Sequence, residues 1–271
     1  NERLNITISG VDKRIEEIDD ICARIANAPD SERGSSDLSW INDNIIFIRG
    51  EKSNLTDIIL ENKNKIIILD DGVYHTGSLW VTSDDIYLRS LRKWGAKLDA
   101  DNNSKGIVID TANNVTIDSM VIFNSTDGIH VENSSHCNII NNLIIDFNKI
   151  GIFMKNVNQS TLMLNRLVPR EIMKVTGIKL CNSLDNTLAM NEISIGLYDN
   201  DSYSYESQFS KENSIYISDN GRIWEDILPN ETSDDFYCEI WDCKLECYLA
   251  NNGNPTSISR SENIWMHPNA P

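Results

Sequence analysis

The chain has 271 residues, 40 % of them hydrophobic, and sets 24 Lys and Arg against 41 Asp and Glu, for a formal net charge of −17. Such a field repels phosphates, which argues against a nucleic acid or an anionic membrane as partner, and no apolar run is long enough to insert into a bilayer. It also repels a polyanionic glycan unless Ca²⁺ or a local basic patch intervenes, so a neutral polysaccharide is the easier ligand.

From the N-terminus, residues 11 to 28 place Val11, Ile15, Ile18, Cys22 and Ile25 at helical spacing, and Pro29 closes the run. This predicts an amphipathic helix, expected to cap the open N-terminal end of the core. Residues 30 to 39 are polar and read as a loop, and residues 44 to 48 as a strand. Residues 54 to 61 read as a short helix N-capped by Asn54. The segments KIIILDDGVYHTG, SLWV and DIYLRS then read as a first regular coil.

From Gly106 the chain repeats. Gly106, Gly128, Gly151 and Gly177 lie 22, 23 and 26 residues apart, and Asp118, Asn141, Asn165 and Asn191 keep nearly the same step. Within each unit, short apolar runs alternate with Asn, Asp and Ser turns, and none is long enough for an ordinary helix. A period of about 22 to 26 residues built from short strands predicts one solenoid coil per repeat. The fold expected is all-β: a single-domain, right-handed parallel β-helix with an N-terminal helical cap. The glycine column is attributed to backbone conformations that other residues avoid, and the Asn column to tolerance of the left-handed region and to an amide that can bond the next coil. Residues 1–62 are read as the cap, 63–222 as coils, and 223–271, with Trp224, Trp241 and Trp265, as closing strands and loops. The 6 cysteines form no CxxC pair and read neither as a zinc site nor as a disulfide scaffold. Lacking an initiator Met and a signal peptide, the chain reads as part of a larger multidomain protein, secreted or at the cell surface.

Strand parity predicts which side chains face outward. The apolar positions one and three after each repeat glycine point in, so His130, Glu132, Phe153, Lys155, Lys179 and Asp110 point out. Trp80 is out of phase with Leu79 and Val81, and Tyr87 and Arg89 are out of phase with Ile86 and Leu88. Together these nine residues are the candidate ligand surface, with Phe153 as a stacking platform for sugar rings.

The capping helix, the apolar strand and Asp71-Gly72-Val73-Tyr74 resemble the start of many pectin-lyase-like β-helices, and the later GI-x-x and N-x-I units resemble NosD-type carbohydrate-binding and sugar-hydrolase repeats. The resemblance covers about residues 40 to 220. It implies the fold and leaves activity open, because that superfamily includes lyases, hydrolases, epimerases and non-catalytic binders. Asn124-Ser-Thr-Asp127-Gly128 resembles the NTDG box of polygalacturonase-type hydrolases. The paired aspartates and Gly-His-Gly that continue the box there are absent, so the segment is read as a turn. A lyase or epimerase would draw its base from Lys155, Lys179 or His130. Asp99, Asp101, Asn103 and Asp110 have spacing like an EF-hand loop and form a candidate structural Ca²⁺ site, although position six lacks Gly. Copper maturation is linked to some NosD-type proteins, but His130, His136, Cys137 and Met154 fit no recurring soft-ligand spacing. No cofactor is required by this reading. The function expected is non-catalytic binding of an extended, xylan-like polysaccharide; the lyase or epimerase is the alternative.

Overall fold

A computed structural model describes residues 2–28, 44–50, 54–102, 104–170 and 175–194, together with the strands 203–208, 214–217, 223–226, 238–239 and 256–258. The chain winds as a right-handed parallel β-helix whose coils have three faces. The first face stacks Ile45–Ile48, Ile66–Leu69, Tyr87–Ser90, Thr116–Asp118, Asn138–Ile140, Thr161–Met163, Thr187–Ile193, Ser214–Ile217 and Cys238–Glu239, each parallel to the next. The second stacks Gly72–His75, Ala96–Asp99, Val121–Phe123, the start of Leu143–Lys155, and Arg166–Pro169. The third stacks Leu79–Val81, Ile107–Asp110, Ser125–Glu132, the end of Leu143–Lys155, Thr176–Cys181, Tyr203–Gln208 and Ile223–Asp226. Parallel pairing therefore already begins at Ile45, before the first regular coil read from the sequence. The strand Thr256–Ile258 joins antiparallel to Ile223–Asp226.

The inward columns follow parity. Ile107, Ile109, Ile129, Val131, Ile152, Met154, Ile178 and Leu180 are all buried in one continuous core. Between faces the chain turns through single left-handed residues. Trp94, Ser119, Asn141, Leu164 and Met190 form one such column, with φ of 65, 58, 56, 59 and 52°. Asn114, Asn124, Asn133, Asn156 and Asn182 take the same region at other corners, as expected of a side chain that tolerates it.

The glycine column has a different cause from the one expected. None of Gly106, Gly128 and Gly151 has a left-handed φ. They are needed for space: a Cβ on Gly128 would lie 2.5 Å from the carbonyl oxygen of Gly151, and one on Gly151 would lie 2.6 Å from that of Gly177. The buried amide column is also shifted, running through Asn142, Asn165 and Asn191. The Oδ1 of Asn165 accepts from the backbone N–H of Asn142 at 3.1 Å, and the Oδ1 of Asn191 accepts from that of Asn165 at 3.1 Å. Their Nδ2 groups donate to carbonyls of the preceding coil, so each amide is satisfied in an otherwise apolar core. Asn141 is a corner residue instead, and Asp118 faces out of the coil.

Among the described residues, two helices accompany the coils. The first, α1, spans Glu2–Asn27, so the expected N-terminal helix is present and longer than its apolar periodicity suggested. It lies along the flank of the first face: Ile18, Cys22 and Ile25 pack with Ile45, Phe47, Ile68, Tyr87 and Leu91, and Ile15 packs with Ile140, Met163 and Ala189. The core end is closed by α2, Leu55–Glu61, whose Leu55 and Ile59 are 1 % and 0 % exposed within the main core. Asn54 takes the N-cap position of α2 but its side chain makes no capping bond.

Candidate functional site

The third face carries an outward column in strict register. Trp80 pairs with Val108, Val108 with His130, His130 with Phe153, and Phe153 with Lys179. The next outward column pairs Asp110 with Glu132, Glu132 with Lys155, and Lys155 with Cys181. Adjacent strands lie about 4.8 Å apart, so the two columns form one continuous strip. Trp80 is 43 % exposed, and its backbone N–H donates to the Thr56 hydroxyl of α2 at 3.3 Å. Phe153 is half-buried, and Val108, although at an outward position of the column, is buried.

At the centre is His130, only 5 % exposed. Its ring meets that of Phe153 edge to face, with centroids 4.8 Å apart. Nδ1 faces the Asp127 carboxylate at 3.5 Å. Nε2 lies 3.1 Å from the Lys105 ammonium and 3.4 Å from Glu132. Glu132 in turn accepts from Lys155 Nζ at 2.6 Å. That hydrogen bond holds the Glu132 carboxyl below the usual carboxylate range and raises Lys155 above the usual ammonium range. Two carboxylates, Asp127 and Glu132, thus oppose two ammonium groups, Lys105 and Lys155, around one imidazole. The charges are mutually paired, which leaves the strip close to neutral.

Asp127 and Lys105 were not among the residues expected here. The NSTDG segment is no turn at Asp127: Ser125–Glu132 is a strand, with a register shift between Ser125 and Asp127. The Asp127 carboxylate meets the imidazole three residues later at 3.5 Å. Positions three apart in a regular strand face opposite sides, so parity gave no signal for this pair.

Tyr87 and Arg89 are a correction. Parity places them outside the coil as expected, but α1 covers them, and they are 1 % and 5 % exposed. The Tyr87 hydroxyl donates to Asp118 at 2.9 Å. The Arg89 guanidinium lies 3.1 Å from Asp118 and also binds Asp19 of α1. Both residues fasten the helix and offer no ligand surface. Burial alone would push the Asp118 carboxyl up, and it remains raised despite Arg89.

The EF-hand-like set does not gather as a group. Asp99 and Asp101 lie with His75, all three offering ligand atoms within 4.8 Å of one another. Asp110 is on the third face, bonded to Thr111 and Asn133, and Asn103 lies outside the described residues. The chain turns a corner between Asp101 and Ile107, which separates the two ends of that spacing. Of the soft-ligand set, Cys137 and Met154 point into the core and His136 bonds Ser135.

Residues 24–220 match the family model of NosD, described as a periplasmic copper-binding protein. The chain belongs to the NosD family. Copper is the metal that description implies. Among the described residues, His75, Asp99 and Asp101 supply one imidazole and two carboxylates, a donor set that fits a divalent transition metal better than Ca²⁺. No curated protein matches the sequence. Solved structures that resemble this NosD chain include an alginate lyase from Paenibacillus sp. FPU-7, at 12 % identity and a TM-score of 0.46, covering 63 % of this chain and 66 % of that one. A protein described as a glycosyl hydrolase from Parabacteroides merdae is 15 % identical, with a TM-score of 0.40, covering 58 % of this chain and 94 % of its own. The catalytic domain of a GH87 α-1,3-glucanase is 11 % identical, with a TM-score of 0.39, covering 63 % and 38 %. At these identities the likeness concerns the fold alone. Among the described residues, no helix is long and apolar enough to cross a membrane.

Proposed function

We propose that the third face of this NosD-family chain binds an extended, neutral, xylan-like polysaccharide without cleaving it. The supporting observation is the strip itself: outward positions in register on five successive strands, of which Trp80, Phe153 and Lys179 keep surface in contact with solvent while Val108 and His130 are covered, with charges beside them that neutralise one another. A linear polymer presents a repeating surface, and a solenoid face presents a repeating complement to it. Exposed Trp80 and half-buried Phe153 offer apolar faces to sugar rings, while paired Glu132 and Lys155 offer a donor and an acceptor for hydroxyls. A lyase would need a base that readily takes a proton. Lys155 is poorly suited because Glu132 holds its proton more firmly. The periplasmic place given in the family's description supports a role outside the cytoplasm.

The test is affinity-gel electrophoresis of the purified chain on xylan and other neutral glycans, in parallel with incubation on a polysaccharide panel with and without Ca²⁺. Retardation on a neutral glycan, lost in Trp80→Ala and Phe153→Ala and with no new reducing ends or unsaturated products, is the result expected. Products that vanish in Lys155→Ala or Lys179→Ala would replace this reading with the lyase. Retention on no glycan, or only on polyanions in a salt-sensitive way, would remove it.

A further inference from the structure

A second groove lies away from the third face, at the corner where the first face turns into the second. It is a shallow, open depression of about 480 Å³ lined by Asp71, Gly72, Val73, Trp94, Gly95 and Lys97. Trp94 is held there at φ 65°, a left-handed conformation that is costly for a bulky side chain. Two bonds fix it: its backbone N–H donates to Ser119 at 2.8 Å, and its indole N–H donates to the Asn141 carbonyl at 2.6 Å. The indole is only partly covered. The same left-handed corner recurs at Ser119, Asn141, Leu164 and Met190, so the backbone conformation belongs to the coil, and the indole is set beside the groove by its bond to Asn141.

The charge around this groove reverses that of the molecule. Arg92 Nη1 binds the Asp71 carboxylate at 2.5 Å, and Gly95 leaves the space that this carboxylate occupies. Lys93 Nζ lies 4.7 Å from the centroid of the Trp94 ring. Lys97 is exposed at the groove's edge, and neither lysine has a carboxylate partner among the described residues. One carboxylate against three cations leaves a formal +2 here, on a chain of −17. Asp71 is neutralised by Arg92, so an incoming anion meets the two ammonium groups.

We propose that this groove is a binding site for a carboxylate-bearing sugar, a free hexuronate or a chain end carrying one. The sugar ring packs against Trp94, and its carboxylate is held by Lys97 and Lys93. Neither contact alone selects this class: the indole admits any sugar, and the ammonium groups admit any anion. The site is independent of glycan binding on the third face and stands or falls separately.

The experiment titrates the full chain with glucuronate, glucose and acetate by isothermal titration calorimetry, with the Gly95 backbone N–H in the groove lining followed by NMR. The expected result is saturable binding of glucuronate, with glucose and acetate each at least about tenfold weaker. Lys97→Gln, at an exposed position, should weaken glucuronate binding by about tenfold. Trp94→Asn, which keeps a residue suited to the left-handed corner, should abolish it, and Trp80→Ala and Phe153→Ala should leave it unchanged. Acetate binding as well as glucuronate would reduce the groove to a general anion patch and overturn the proposal. Equal binding of glucose, loss of binding in the third-face variants, or no binding of glucuronate would overturn it as well.

Discussion

Lys155 and Glu132 show how a single hydrogen bond decides what a residue can do. The 2.6 Å bond between them lowers one pKa and raises the other, so each group is held in its charged form. The effect can be read directly: in Lys155→Met the Glu132 carboxyl should titrate higher than in the parent, followed by carboxyl-carbon NMR. Because its folded pKa is depressed, Glu132 contributes stability that is present above the ordinary carboxylate pKa and lost as pH falls through the folded value. The variant should lose that acid-limb dependence, and an unchanged titration would break the link between the two groups. Deeper in the structure, Arg89 and Asp118 are 5 % and 0 % exposed. Arg89→Met strands the Asp118 carboxylate and should cost about 3–5 kcal/mol in chemical denaturation. Adding Asp118→Leu should recover much of the loss, since an apolar pair of similar volume leaves no buried charge unpaired. For Asp118 itself the folded pKa is raised. Its contribution is therefore greatest below the unfolded carboxylate pKa and is lost as pH rises through the folded value.

At the scale of elements, α1 is the largest departure from a plain solenoid. The outward positions of the first face include Ile68, Ile140, Met163 and Ala189, all buried and packed on helix residues. A helix laid along them removes an apolar stripe from water, and the Arg89–Asp19 pair adds a polar anchor. Ile25 is fully buried, so Ile25→Ala should destabilise by about 2–5 kcal/mol and raise amide exchange in α1 ahead of the coils. Exchange rising equally in both would mean the helix and the solenoid unfold as one unit. Much of this architecture was legible in the sequence. Four glycines at 22 to 26 residues gave the coil, and parity gave the inward columns and the third-face strip. What parity could not show was whether a second element covers an outward face, and Tyr87 and Arg89 were misplaced for that reason. Asp127 was missed because parity places positions three apart on opposite sides of a strand, and Lys105 because it precedes the repeat glycine and lies outside the strand to which parity applies.

Over the whole molecule, stability passes from coil to coil through shared columns, as in other solenoids, where each unit touches only its neighbours. The amide column makes this concrete. Asn165 accepts from Asn142 on one side and donates to Ile139, while its backbone and side-chain N–H groups both bond the Asn191 Oδ1 at 3.1 and 2.9 Å. It is 1 % exposed. Removing it leaves buried donors and acceptors unpaired on two neighbouring coils, and each unpaired group costs about 1–3 kcal/mol. Asn165→Leu keeps the volume roughly constant, so the loss is chiefly one of hydrogen bonding. A globular core would spread that loss over the whole domain, whereas a one-dimensional stack should divide at the defect. Hydrogen exchange on Asn165→Leu is therefore expected to rise strongly in Thr176–Cys181 and Thr187–Ile193, beyond the break, and little in Ile66–Leu69 and Tyr87–Ser90, which α1 and α2 hold at the other end. Gly128→Ala places a Cβ 2.5 Å from the Gly151 carbonyl. It should cost about 1–3 kcal/mol by overpacking and produce the same polarity of exchange from one coil earlier. Uniform exchange along the chain in either variant would show that the coils unfold together.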